Sequence, residues 1–144
     1  MSTPPPAEPP RLEDFPARAA DTVRYGDTDR QGHVNNAAFA TFLETGRCQL
    51  LYDPALPLAP AGTAFVLVRL VLDLRQELHW PGTVEIGTRL ARLGRSSFTL
   101  SQALFQAGRC AATSESVVVL MDESTRRATP LPEASCATLR ALAG

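Results

Sequence analysis

The sequence predicts an α+β domain, one long helix set against a strongly apolar antiparallel sheet, and two patterns carry that prediction. From Val34 to Tyr52, apolar residues and a glycine (Phe39, Phe42, Leu43, Gly46, Leu50, Leu51) recur at steps of three and four, the period of a helix with one buried face. Beyond Tyr52 the period shortens to two, in runs separated by brief turn signals. A helix followed by a run of strands is the α+β order, whereas strands alternating with helices would announce a parallel sheet.

The chain opens on a proline-rich stretch, with Pro4, Pro5, Pro6, Pro9 and Pro10 among its first residues. Residues 1–17 are expected to be a disordered or extended tail, and residues 18–144 a single domain. Asp21 to Asp27 alternates with Val23 and Tyr25 on one face, which predicts a short strand. The helix starts at Asn35 and Asn36, residue types that suit a cap, and stops at Asp53-Pro54. Gly46 in its interior costs about 1 kcal/mol against alanine, so it marks a close approach of helix to sheet. Phe65 to Arg75 predicts the next strand. Trp80-Pro81-Gly82 then turns the chain into Thr83–Leu93, Gly94-Arg95-Ser96 into Ser97–Gln106, and Gly108 into a last strand ending at Met121. That order predicts an antiparallel meander. Pro130 and Pro132 precede a short helix from Glu133 to Leu142.

Composition narrows the function. The chain has 144 residues and a net charge of −1, with 14 basic residues against 15 acidic. That balance offers no electrostatic reason for a nucleic-acid partner or an anionic membrane. Every basic residue is arginine, so Schiff-base chemistry and a phosphate-loop lysine are excluded. Cys48, Cys110 and Cys136 form no disulfide framework and, with only His33 and His79 beside them, no zinc pattern. No metal or other cofactor is expected. The start of the chain has neither a basic nor an apolar run, which with the cysteine usage predicts a cytoplasmic protein.

The densest set of chemically capable side chains lies between the first strand and the helix, Tyr25-Gly-Asp27-Thr-Asp29-Arg-Gln31-Gly-His33-Val-Asn35-Asn36. A helix start offers unpaired N–H groups and a partial positive charge, which suit a developing oxyanion. A carboxylate beside it can serve as base or nucleophile. These parts suit acyl-transfer hydrolysis. An EF-hand starting at Asp27 would require glutamate where Ala38 stands, and no Gly-x-Ser-x-Gly is present. On turn chemistry alone, Asp27 and Asp29 can equally be loop residues, His33 a packing histidine and the asparagines simple caps.

The run Tyr-x-Asp-Thr-Asp-x-x-Gly-His-Val-Asn-Asn-x-x-Phe, with Phe42-Leu43-Glu44 and Arg47 after it, resembles hot-dog-fold acyl-CoA thioesterases of the 4-hydroxybenzoyl-CoA thioesterase type. Trp80-Pro81-Gly82, Gly94-Arg95-Ser96-Ser97-Phe98 and Thr129-Pro130-Leu131-Pro132 fit the same likeness in order and spacing. The resemblance implies an antiparallel sheet wrapped around one long central helix. It also implies a homodimer with the active site at the subunit interface, and leaves pairing into a homotetramer open. By that likeness Asp29 is the catalytic carboxylate and Asn36 holds the position whose main-chain N–H polarises the thioester carbonyl. The Asp-x-Asn-x-His of plant acyl-carrier-protein thioesterases is similar too, matching Asp29 and His33, with Gln31 in place of asparagine.

The remaining candidates divide between site and scaffold. His33 orients Asp29 or a water, or simply closes the loop. Asp27 holds the loop, and Asn35 caps the helix or touches substrate. Glu44 is a family-pattern acid or the ion-pair partner of Arg47. Cys48 is expected as a small buried residue. Arg95, Ser96 and Ser97 stand in a hairpin turn where the family's members contact the CoA nucleotide, and the arginine fork suits phosphate. The expected function is hydrolysis of an acyl-CoA to free acid and CoA. Its rivals are a non-catalytic acyl-CoA-binding module and a hydroxyacyl-thioester dehydratase.

Overall fold

A computed structural model describes residues 8–144. The chain forms β1 (Ala17–Val23), α1 (Asn36–Leu51), β2 (Thr63–Leu74), β3 (Gly82–Leu93), β4 (Ser97–Gln106), β5 (Arg109–Asp122) and α2 (Glu133–Arg140). Short 3-10 turns cover Leu12–Asp14 and Tyr25–Asp27.

The five strands make one antiparallel sheet in the order β1-β3-β4-β5-β2. Phe39, Phe42 and Leu43 of α1 meet Val84, Ile86, Leu104 and Ala112 from the sheet in one buried cluster, closed by Val23, Val34 and Leu78. This is the α+β arrangement expected, a sheet curved about a central helix. A second cluster around Phe98, Leu100, Leu120 and Leu139 seats α2 at the other end of the sheet. Gly46 is the point of closest approach, because a Cβ there would stand 2.5 Å from Ile86 Cγ2 and 3.0 Å from Gln102 Nε2.

Three expectations are corrected. The first strand ends at Val23, because the Asp27 carboxylate accepts the Arg24 N–H at 2.8 Å and curls residues 25–27 into a turn. The tail expected up to residue 17 is ordered from at least Arg11. Phe15 is only 1% exposed, standing against Gly87 and edge-on to Phe105. Residues 1–7 of that tail lie outside the described residues.

The meander holds only for β3-β4-β5, since β2 pairs with β5 and not with β3. Trp80-Pro81-Gly82 therefore ends a crossover, residues 75–81, rather than a hairpin. Both Arg75 and Gln76 donate their N–H groups to Ala111 O, and Leu78 O accepts from Val34. The Gln106 side chain clamps the His79 backbone with two 2.9 Å hydrogen bonds.

Candidate active site

Residues 27–36 form a small closed loop at the end of the sheet where β1 stops and β3 starts. Thr28 and Val34 make an isolated antiparallel bridge, Asp29 N donates to His33 O at 3.0 Å, and Asn35 N donates to Asp27 O at 2.8 Å. Gly32 supplies the reversal at φ 88°, a conformation other residues rarely adopt. The loop is also fastened from outside by the 2.8 Å bond from Val34 N to Leu78 O. The main chain thus fixes where α1 begins.

At that beginning Asn35 is the N-cap, its side chain accepting the Ala37 N–H at 3.1 Å, and Ala38 N bonds Asn35 O at 2.9 Å. The N–H of Asn36, in the first helical position, has no intrahelical acceptor by the geometry of a helix start. It lies at the positive end of sixteen residues of α1. Its position is set by the main chain of the loop and not by its own side chain.

Asp29 and His33 form the titratable pair beside it. Asp29 Oδ1 accepts the Gln31 N–H at 2.9 Å, and Oδ2 stands 4.0 Å from His33 Nδ1. The imidazole faces acceptors on both sides, Val34 O at 3.1 Å and Gln31 Oε1 at 3.1 Å. Glu77 Oε1 lies 3.9 Å from Nε2. A ring whose two nitrogens both meet acceptors is best satisfied when doubly protonated. Accordingly the pKa of His33 is raised above its ordinary value, chiefly by the bond to Val34 O; burial opposes it as the next largest effect, and the charges of Asp29 and Glu77 add smaller raising contributions. Gln31, His33, Asn36, Phe39, Leu74 and Glu77 line a cleft of about 330 Å³ here. Asp29 is not among the residues that line it; its side chain, 29% exposed, meets the cleft only through His33.

Other candidates fall elsewhere. Asp27 is structural, as the turn at Arg24 shows. Glu44 is exposed on α1 and is not the ion-pair partner of Arg47. That arginine turns inward, 6% exposed, and donates to Gln102 Oε1 at 3.4 Å, while Gln102 bonds Leu43 O and Thr88 Oγ1. Burial pulls the Arg47 pKa down, with Glu44 opposing. Cys48 is exposed rather than buried. Glu44, Arg47, Cys48, Leu51 and Phe65 border a second recess of about 250 Å³ between α1 and the β2–β5 side of the sheet.

Arg95, Ser96 and Ser97 occupy the β3–β4 turn, where Arg95 O and Ser96 O accept from Leu131 and Leu120. Within one chain they are remote from Asp29. β3 runs twelve residues from the site end to that turn, roughly 36 Å at ~3.3 Å per step. The crossover residues Glu77 and Leu78 reach the site only through β2–β5 pairing, and no spacing in the sequence announces them. Among the described residues no three His, Cys, Asp or Glu side chains cluster to hold a metal ion.

A five-stranded antiparallel sheet curved about one central helix is the hot-dog architecture that the sequence led us to expect. The model of the thioesterase-like superfamily matches residues 23–139, and the chain belongs to that family: it is a thioester hydrolase of hot-dog fold. No match was found among curated proteins. A thioesterase from Thermus thermophilus, solved with coenzyme A and zinc, is 32% identical, covering 90% of this chain and 96% of its own with TM-score 0.78. A Pseudomonas aeruginosa protein is 28% identical over 94% of this chain and 96% of its own, with TM-score 0.84. A DHNA-CoA thioesterase from Staphylococcus aureus shares the fold at TM-score 0.77 and 19% identity, covering 88% and 91%. No helix among the described residues is long and apolar enough to cross a membrane.

Proposed function

We propose that the protein hydrolyses acyl-CoA thioesters in the cytoplasm, acting as a homodimer. The observation that carries this reading is the uncapped Asn36 N–H at the start of α1, on one cleft with His33, whose ring stands 4.0 Å from the Asp29 carboxylate. The thioester carbonyl oxygen accepts from Asn36 N–H, and the charge that builds on it during attack faces the helix dipole. Asp29 either takes a proton from the attacking water or attacks the carbonyl itself to give an anhydride that water then opens. In both routes the C–S bond breaks, the thiolate leaves and is protonated, and the acid is released. His33 positions Asp29, Gln31 holds the imidazole at its other nitrogen, and Asn35 keeps the helix start in place. The similar Thermus protein's bound coenzyme A supports a CoA ester over other thioesters.

The dimer rests on the free edge of β2. Leu67, Val68, Val71 and Leu74 there are 37–58% exposed, an apolar edge that a lone chain would leave as a template for pairing. A second copy across that edge covers the recess beside Glu44, where the acyl group would lie, and offers the route by which Arg95, Ser96 and Ser97 of one copy serve the site of the other.

The test is release of CoA thiol from a panel of acyl-CoAs. Asp29→Asn should lower turnover by roughly 10²–10⁴, the range for a lost acid–base group, with an unchanged elution volume. Full activity in that variant would remove Asp29 from the mechanism. Tight acyl-CoA binding without hydrolysis by the wild type would instead make the chain a binding module.

A further inference from the structure

The recess beside Glu44 has apolar walls and a charged floor. Arg47, 6% exposed, borders it together with Leu51, Phe65, Leu67 and Val118. Of the five N–H donors a guanidinium carries, the Arg47 side chain commits one, to Gln102 Oε1 at a long 3.4 Å. Gln102 has no further acceptor to spare on its amide nitrogen, which donates to Leu43 O and Thr88 Oγ1. Among the described residues the ion pairs within 4.0 Å do not include Arg47. A cation buried with so few acceptors is costly, and burial accordingly pulls its pKa down.

Two more buried polar groups stand unpaired behind it. The Ser114 and Ser116 hydroxyls have no hydrogen-bond partner in the fold. Side chains alternate along a strand, so both serines lie on the face of β5 that gives Val118 to the recess. Across the sheet Ser114 pairs with Gln102, and Ser116 with Leu70. The interior that the recess opens towards therefore holds unspent hydrogen-bonding capacity from α1 and from β5.

The recess also lies within reach of the helix start. Glu44 is eight residues past Asn36, about 12 Å along the axis of α1, and the Arg47 side chain leans back towards it. An extended chain covers ~3.5 Å in three bonds, so about ten chain atoms span that distance. Leu67, Leu70, Leu72 and Leu74 pair with Val118, Ser116, Ser114 and Ala112, and so share one face of β2. Leu74 borders the cleft at Asn36 and Leu67 the recess, which gives such a chain an apolar side to run along.

We propose that the recess selects extended acyl groups, about ten atoms long, that end in a hydroxyl held by Arg47 over the Ser114–Ser116 floor. The assignment rests on the thioesterase reading above, with the carbonyl at Asn36, and adds to it the kind of acyl group. A hydroxyl can accept from Arg47 and donate to Glu44 at once, whereas a terminal carboxylate would face Glu44 charge against charge. A methyl end leaves the buried donors unpaired.

The experiment compares decanoyl-CoA, 10-hydroxydecanoyl-CoA and the CoA half-ester of decanedioic acid in wild type, Arg47→Met and Ser114→Ala/Ser116→Ala. Methionine keeps an unbranched apolar stem and removes the buried charge, a replacement that interiors tolerate. Wild type should favour the hydroxylated ester over decanoyl-CoA about tenfold or more in kcat/KM, with the diacid ester behind it. Arg47→Met should lower that preference about tenfold. The double serine variant removes two unpaired buried hydroxyls, so it should melt at or above the wild-type temperature and still lower the preference about threefold. S-decyl-CoA and S-(10-hydroxydecyl)-CoA, which cannot be hydrolysed, should show the same ranking by calorimetry. A wild type that prefers decanoyl-CoA, or an Arg47→Met that slows both esters alike, overturns the proposal and leaves Arg47 a scaffold residue. A preference for the diacid ester overturns it in favour of an anionic tail. A wild type that hydrolyses no thioester sinks the hydrolase reading, while calorimetry with the two thioethers still decides the recess.

Discussion

The N–H of Asn36 cannot be removed by changing its side chain, with one exception. Proline has no N–H, and the first position of a helix is the one that tolerates it. Asn35 has φ −59° and ψ 136°, a conformation that the residue before a proline prefers. Asn36→Pro should therefore keep α1 and its cap while deleting the proposed oxyanion donor. The expected result is a fall in kcat of roughly 10²–10³ with the melting temperature within a few degrees of wild type. Wild-type kcat in a folded variant would show that the donor lies elsewhere. At this scale the sequence was legible wherever a residue acts locally. Asp27 holding its turn and Asn35 capping its helix follow from chemistry two or three positions away. Arg47 and Cys48 were not legible, because which of two adjacent helical residues turns inward depends on Gln102, fifty-five positions on.

Among the elements, α1 and β3 are joined through Gly46 more tightly than any side chain would permit. Gly46→Ala gains helix propensity worth about 1 kcal/mol but drives a methyl into Ile86 and the Gln102 amide. Overpacking of this kind costs about 1–3 kcal/mol, so the variant should melt several degrees lower. A melting temperature at or above wild type would mean that the sheet yields freely there. Helical spacing showed that Gly46 needed a close neighbour but not that the neighbour was Ile86. The same limit explains β2. Period-two alternation shows that a segment is a strand and which residues share a face. It carries nothing about partner order, and β2 reaches β5 because the crossover is fastened to Ala111, Val34 and Gln106.

For the whole molecule, the proposed dimer turns on the β2 edge. Two lysines on it, Val68→Lys with Val71→Lys, should convert a dimer to monomers by sedimentation, leave the far-UV circular dichroism intact and abolish thioester turnover. A wild type that sediments as a monomer at assay concentration would instead make each chain self-sufficient. The tie between the chain's two ends of function is α1. Its first turn presents the unpaired Asn36 N–H, its middle is bolted to the sheet at Gly46, and Glu44, Arg47, Cys48 and Leu51 border the recess beside β2. The donor belongs to the backbone and is common to nearly every residue that could stand at position 36. Substitutions in the later turns can reshape the recess beside Glu44, the proposed acyl site, without moving it. On the proposed reading, reaction and substrate choice sit on separate turns of one helix, and descent from a common ancestor can revise the second while inheriting the first.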